Sequence, residues 1–284
     1  MEQTDKIISW AITNGCNAHQ LCDYCIAKVE HRTKNIHPPE ETLKNIVNGI
    51  NRLNPNNIYI NGGEPFAVKG FVSEVVSNLI ANNHRLFVTS NFLAKIDDYI
   101  QYLEIAGENL ISLNLSYHKS LFSDYLVFIN KLERLIAKNR NNNKILVSAV
   151  LHPSYLDEIR ALDIELNKRF QIKIYPQYLK IHDEYGLRKI YKYSEEQTLI
   201  IKSFIDRKFN WVPFSTRNAE CLAGKKYIFI NCNGEVFRCQ SYFEKNKLMG
   251  IISNPDFKLL EQSEKCEFDY CSCGSAQSSK LIQS

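Results

Sequence analysis

The chain is predicted to be an α/β protein with a largely parallel sheet, and three observations carry that prediction. Short apolar runs alternate with amphipathic helical stretches six times between residues 7 and 175. The links between them are short, which favours parallel strands joined by right-handed crossovers. At 284 residues, 44% hydrophobic and 23% charged, the chain has the length and balance of one large globular domain, or of one domain plus an appendage. A flat doubly wound sheet and a partial (β/α)6 barrel fit this periodicity equally well.

Ile7–Thr13 is the first strand. Pro38-Pro39-Glu40-Glu41 opens a helix, with proline at the start and acids in the first turn, and Leu43, Ile46, Val47 and Ile50 give it an apolar stripe. Ile58–Ile60 is the second strand, and Val72, Val75, Val76, Leu79 and Ile80 mark the next helix. Leu86–Thr89 is the third strand, followed by a helix over Ile96–Leu103. Leu110–Tyr117 is the fourth, with a helix from Tyr125 to about Lys138. Ile145–Leu151 is the fifth, with a helix from about Ser154 to Lys168, and Ile172–Tyr175 is the sixth. Asn139–Asn143 reads as a solvated turn, and Lys180–Tyr193 as a polar and aromatic link that is either a lid or a plain surface loop.

Cys16, Cys22 and Cys25 lie in one short loop directly after the first strand. Thiolates this close suit an iron–sulfur cluster or a zinc ion. With His19, the loop also reads Cys16-x2-His19-x2-Cys22-x2-Cys25, the ligand count of a tetrahedral zinc site. Gly62-Gly63-Glu64-Pro65 follows the second strand. Its glycines permit close backbone approach, and its carboxylate suits an ammonium group. Thr89-Ser90-Asn91 follows the third strand, with Phe92 next. On the fourth strand Ser112, Asn114 and Ser116 alternate with Leu113, Leu115 and Tyr117, so one face is polar. Polar groups converging in a cavity mark a ligand site, although they also satisfy one another in a wet interior.

Together these motifs resemble the radical S-adenosylmethionine (radical SAM) enzymes. Their cluster loop has the form Cys-x3-Cys-x2-Cys, with an aromatic residue before the last cysteine. Tyr24 holds that aromatic place, while Cys16 departs from the pattern, with five residues between it and Cys22. The resemblance covers roughly the first 210 residues and implies the partial barrel, with its chemistry at the C-terminal strand ends. It further implies a 4Fe–4S cluster on Cys16, Cys22 and Cys25. Tyr24, Gly62, Gly63, Glu64, Pro65, Ser90, Asn91, Asn114 and Ser116 are the implied S-adenosylmethionine contacts. No catalytic residue is assigned.

The last six of nine cysteines follow residue 220. Tyr227–Ile230 and Glu235–Cys239 read as a hairpin around Asn231-Cys232-Asn233-Gly234, flanked by Cys221 and Cys239. Cys266, Cys271 and Cys273 return near the terminus. This resembles the SPASM/twitch extension of radical SAM enzymes, which implies an auxiliary 4Fe–4S cluster drawing on Cys221, Cys239, Cys266, Cys271 and Cys273. Cys232, at the hairpin tip, fits worst. A zinc ribbon is the alternative for this unit. If a cluster gathers both groups, metal rather than a core of its own pins the tail to the hairpin, and the resemblance places it across the substrate cavity from the first. The expected organisation is a radical SAM core at 1–210 and a small Cys-rich β-hairpin/helix extension at 211–284.

The net charge of +4 is mild and the lysines are spread among glutamates, which speaks against nucleic acid as a partner. No apolar run approaches the ~18 residues a membrane span needs, and no signal peptide precedes the first strand, so a cytoplasmic protein is expected. The resemblance implies an enzyme that cleaves S-adenosylmethionine and abstracts a hydrogen atom from a peptide or small polar metabolite. Flavodoxin or ferredoxin would be the one-electron donor. A carbohydrate- or aminoglycoside-type dehydrogenase or epimerase is the alternative among enzymes, favoured by the lack of a leader-peptide-binding segment before the first strand. A zinc-stabilised binding protein is the alternative outside them.

Overall fold

Helices cover one face of the main sheet, and that decides between the two architectures. The computed structural model describes residues 6–18, 22, 24–25, 37–53, 56–122, 124–138, 144–182, 188–204, 216–269, 271 and 281–283. β1 (Lys6–Thr13) leads to α1 (Glu40–Asn51), β2 (Asn56–Gly62), a π-helical turn at Phe71–Val76 and α2 (Ser77–Ala81). β3 (Arg85–Ser90), α3 (Ile96–Ala106), β4 (Leu110–Tyr117), α4 (Tyr125–Lys138), β5 (Ile145–Val150), α5 (Leu156–Phe170) and β6 (Ile174–Gln177) follow. Strands β1 to β6 pair in sequence order, all parallel.

Along these strands Ile8, Trp10, Ile12, Ile58, Ile60, Leu86, Val88, Leu113, Leu115, Ile145 and Val147 are buried in one core with the apolar stripes of the helices. The opposite face carries Ser9, Tyr59, Phe87 and Ser112 in register, then Thr89, Asn114, Ser116 and Ser148. A doubly wound sheet buries both faces under helices and is apolar on both. A polar and aromatic second face belongs to the lumen of a partial (β/α)6 barrel.

Two elements differ from the sequence expectation. The helix expected over residues 72–80 starts as a wider turn, in which the Ser77 hydroxyl donates to the Val72 carbonyl, 3.2 Å away. The sixth strand starts at Ile174 rather than Ile172, because the end of α5 uses the intervening residues. Gln171 turns left-handed there (φ 58°), and Ile172 N–H reaches back to Leu166 O. The Asn139–Asn143 turn lies outside the described residues. Part of the Lys180–Tyr193 link folds as a small hairpin, β7 (Lys180–His182) with β8 (Arg188–Ile190), before α6 (Glu195–Phe204).

The C-terminal hairpin extends the main sheet instead of standing apart. After β9 (Glu220–Cys221), β10 (Tyr227–Ile230) pairs parallel with β1 along Ile7–Trp10, and β11 (Glu235–Phe237) pairs antiparallel with β10. After α7 (Gln240–Glu244), β12 (Gly250–Ile251) completes this edge. Ile252 is buried in the main core, with Met249, Phe257 and Leu259 packed against it. The tail is held by strand pairing and apolar packing. β13 (Glu264–Lys265) and β14 (Ile282–Gln283) flank β9, and Leu281 joins Cys221, Leu222, Ala223 and Tyr227 in a small apolar cluster. The boundary expected at residue 210 lies outside the described residues.

Candidate functional site

The cysteine loop leaves the C-terminal end of β1 and rests on the turns that follow β2, β3 and β4. Gly63 N–H donates to Thr13 O at 2.7 Å, and Glu64 N–H to Gly15 O at 2.9 Å. Gly62 takes a φ of 136°, and a Cβ there would meet Thr13 O at 2.5 Å. The close approach that needs these glycines is therefore to the cysteine loop itself. Thr13 Oγ1 accepts from Gly15 N at 2.9 Å and faces His37 Nδ1 at 3.1 Å.

Glu64 is fully buried. One carboxylate oxygen accepts from Ser90 Oγ (2.8 Å) and Phe66 N–H (3.1 Å), and the other from Asn91 N–H (2.6 Å). Burial still pushes its pKa up to about 7, against the pull of those bonds. Ser90 Oγ also faces the Tyr99 hydroxyl at 2.8 Å and accepts from Phe92 N–H at 3.1 Å. A hydroxyl has one donor and two acceptor positions, so that of Ser90 is filled. Ser90 therefore stands behind the ligand face, where it holds Glu64. Pro65, buried, begins the 3₁₀ turn that returns Phe66 N–H to Glu64.

Asn91 points the other way, towards the cysteines. Its Nδ2 donates to Asn17 Oδ1 at 2.7 Å and lies 3.6 Å from Cys16 Sγ, while its Oδ1 accepts from Leu93 N–H at 3.0 Å. Phe92 follows in a left-handed conformation (φ 62°) that a glycine would adopt freely. Lys131 of α4 holds this turn from behind, donating to Phe92 O and Ala94 O, both at 2.7 Å, across the faces of Phe92 and Tyr99.

Burial raises the Cys16 thiol pKa. Ala18 N–H, 3.4 Å from the sulfur, opposes the rise, Glu64 and Cys25 add to it, and the Asn91 amide opposes it. Ser120, beyond β4, donates to Cys22 Sγ at 3.4 Å, and Cys25 is exposed. Tyr24 faces His118 Nδ1 through its hydroxyl at 3.1 Å and stacks on the His118 ring, with His152 and then Tyr155 beyond. Burial lowers the His118 pKa to about 4, so it is neutral at ordinary pH. Neither histidine belongs to a recognisable sequence motif. Their signal was positional: His118 directly follows β4, and His152 lies two residues past β5.

Asn114 and Ser116 face the lumen as expected. Asn114 Nδ2 lies 3.4 Å from Thr89 Oγ1, and the hydroxyls of Ser116 and Ser148 are 3.1 Å apart. Asn114 Oδ1 is buried without a hydrogen-bond partner among the described residues. An orphaned acceptor in a polar lumen fits a ligand that brings a donor.

The second cysteine set gathers at the other end of the sheet. Cys239, Cys266 and Cys271 pack against the apolar cluster that contains Cys221. Burial raises the Cys221 pKa, opposed by Ala223 N–H, and the Cys266 sulfur adds to the rise. Backbone bonds between Ala219 and Cys266, and between Asn218 and Cys266, hold the two segments side by side. Cys232 sits apart, at the tip beyond β10, where the Asn14 N–H reaches its sulfur. Cys273 and His19 lie outside the described residues. Among the described residues no three His, Cys, Asp or Glu side chains form a ready single-ion site. The first set follows the C-terminal end of β1, whereas the second gathers near Ile7 and Tyr227, where the β1–β10 pairing begins.

The residues present fit the groups their motifs imply: a three-thiol loop, an open polar lumen beside it, and four further thiols around one apolar patch. Residues 10–120 match the family model described as "Radical SAM superfamily". The fold is similar to that of BtrN in complex with AdoMet and 2-DOIA, at 14% identity over 90% of this chain and 81% of that one, with a TM-score of 0.52. It is similar to native anSMEcpe with bound AdoMet and Cp18Cys peptide, at 15% identity over 87% and 77%, with a TM-score of 0.59. It is also similar to Streptococcus suis SuiB bound to S-adenosylmethionine, at 13% identity over 88% and 64%, with a TM-score of 0.58. No curated protein matches the chain.

Proposed function

We propose that this chain, whose residues 10–120 match the radical SAM superfamily model, is a radical SAM enzyme that abstracts a hydrogen atom from a peptide or small polar molecule bound in the barrel lumen. Cys16, Cys22 and Cys25 would hold a 4Fe–4S cluster, and three thiolates would leave one iron for S-adenosylmethionine. When bound, the cluster and S-adenosylmethionine supply a one-electron reductive cleavage and a 5′-deoxyadenosyl radical.

The backbone of Gly62–Pro65, the Asn114 carboxamide, the Ser116 hydroxyl and the Tyr24 ring face that cofactor. Glu64 and Ser90 fix the turn from beneath, and Asn91 holds the cysteine loop. The polar lumen orients the substrate, while the helix-covered barrel wall keeps bulk water from the reacting atoms. Cys221, Cys239, Cys266 and Cys271, with Cys273 as a further candidate, would hold a second cluster. A cytoplasmic electron carrier of the flavodoxin or ferredoxin type delivers the electron.

The observation that supports this reading best is the direct seating of the cysteine loop on the Gly62-Gly63 turn and on Asn91. The test is the triple substitution of Cys16, Cys22 and Cys25 by Ala in anaerobically prepared protein. It should abolish 5′-deoxyadenosine formation and remove about half of the iron, taking two four-iron clusters as the full load. Unchanged 5′-deoxyadenosine formation rejects the proposal. Cys221→Ala should remove the other half and spare uncoupled cleavage. Loss of zinc instead of iron from that variant rejects the second cluster.

A further inference from the structure

Nothing in the cleavage chemistry itself calls for Asn91, yet its side chain is among the most firmly oriented groups at the site. Its backbone N–H is held by the buried Glu64 carboxylate at 2.6 Å, and its Oδ1 by Leu93 N–H at 3.0 Å. That second bond settles which end of the carboxamide is which, because only the oxygen accepts from an N–H. The Nδ2 group is left facing Cys16 Sγ at 3.6 Å and Asn17 Oδ1 at 2.7 Å. Lys131 and the left-handed Phe92 keep the segment from relaxing away.

We propose that Asn91 is a positioning residue that sets the reduction potential of the first cluster by donating a hydrogen bond to the Cys16 thiolate. A donor at a ligating sulfur draws off negative charge and favours the more electron-rich, reduced state. The thiols of the loop are unequally served. Cys16 is half-buried and has Ala18 N–H and Asn91 Nδ2 beside it, Cys22 has the Ser120 hydroxyl, and Cys25 is exposed. The Asn91 contribution is preorganised, since bonds to Glu64 and to Leu93 N–H fix its backbone and its carboxamide. The Glu64 turn thus reaches the cluster through one residue, Asn91, as well as facing the cofactor.

This rests on the reading that Cys16 carries the first cluster, and the experiment separates the two. Anaerobic holoenzyme is titrated with reductant and followed by electron paramagnetic resonance. The first cluster is recognised by the change S-adenosylmethionine causes in its signal. Asn91→Leu, which keeps bulk and removes the donor, should make the first cluster about tenfold harder to reduce, a fall of ~59 mV for one electron. Asn91→Asp should lower it further, while the second cluster's potential stays in place. A residue that merely anchors Asn17 would change iron occupancy and melting temperature without moving the potential of the clusters that remain. An Asn91→Leu potential equal to the native one therefore overturns the proposal. Should these variants assemble no first cluster, Asn17→Ser protein labelled with ¹⁵N only in the asparagine side-chain amide decides the matter. Hyperfine coupling between the reduced first cluster and an asparagine nitrogen supports the proposal, and its absence overturns it. Native protein with no signal that responds to S-adenosylmethionine overturns the underlying reading instead.

Discussion

Gly63 sits so close to Gly15 that a Cβ added to it would lie 1.8 Å from the Gly15 carbonyl oxygen and 2.5 Å from its carbonyl carbon. Backbone cannot swing aside as a flexible side chain would, so the whole cysteine loop must shift. Gly63→Ala should cost about 1–3 kcal/mol, as overpacking does. It should also lower the iron content by about half, the share of one cluster of two. Iron analysis beside a urea melt checks both, and full iron retention with native stability would contradict the packing described.

Glu64 gives the fold a pH dependence of unusual sign. Its folded pKa is raised by burial from 4.5 to about 7, so between those values the folded state holds more protons than the unfolded one. Stability from this group is present below pH 4.5 and declines as pH rises to about 7. Glu64→Gln should remove that decline. Urea unfolding of both proteins at several pH values between 4.5 and 7.5 measures it, and parallel curves would exclude the buried carboxylate.

Asn114 Oδ1 has no hydrogen-bond partner among the described residues. If S-adenosylmethionine supplies the missing donor, Asn114→Ala should weaken its binding by about two- to tenfold, the worth of one neutral hydrogen bond of roughly 0.5–1.5 kcal/mol. The stability of the ligand-free protein should not fall by as much, because the orphan leaves with the side chain. Calorimetric titration set against thermal melting separates the two effects. Unaltered affinity removes Asn114 from the cofactor face.

Phe92 occupies a left-handed position at some steric cost, yet its ring is fully buried against Tyr99 and Phe128. Removing the ring should cost about 3–5 kcal/mol. That exceeds the strain of about 1–3 kcal/mol stored in such a backbone position. Phe92→Ala should therefore destabilise the protein despite relieving crowding. A stabilised variant in urea would show that strain dominates.

Much of this was legible in the chain. The alternation of Ser112, Asn114 and Ser116 with Leu113, Leu115 and Tyr117 states which face of β4 meets the lumen, because side chains of a strand alternate strictly. The cysteine loop and the Gly62–Pro65 turn were readable because their residue types are tied to their chemistry. The contacts of Ser90 were not legible, for an equally physical reason. A serine after a strand looks the same whether its hydroxyl meets a ligand or a buried carboxylate, and only the geometry of Glu64 and Tyr99 tells them apart. The pairing of β10 with β1 was hidden as well, since local pattern reveals a hairpin but not the distant edge it joins.

That pairing bears on how the protein comes to be made. β1 leaves the ribosome well before β10, and its outer edge waits until Tyr227–Ile230 arrive more than two hundred residues later. Meanwhile a row of unsatisfied amides next to Trp10 is open to any passing strand. The nascent barrel is thus most vulnerable to wrong partners where it begins. A chain cut short at residue 210 would carry that open edge permanently, however complete its six βα units were.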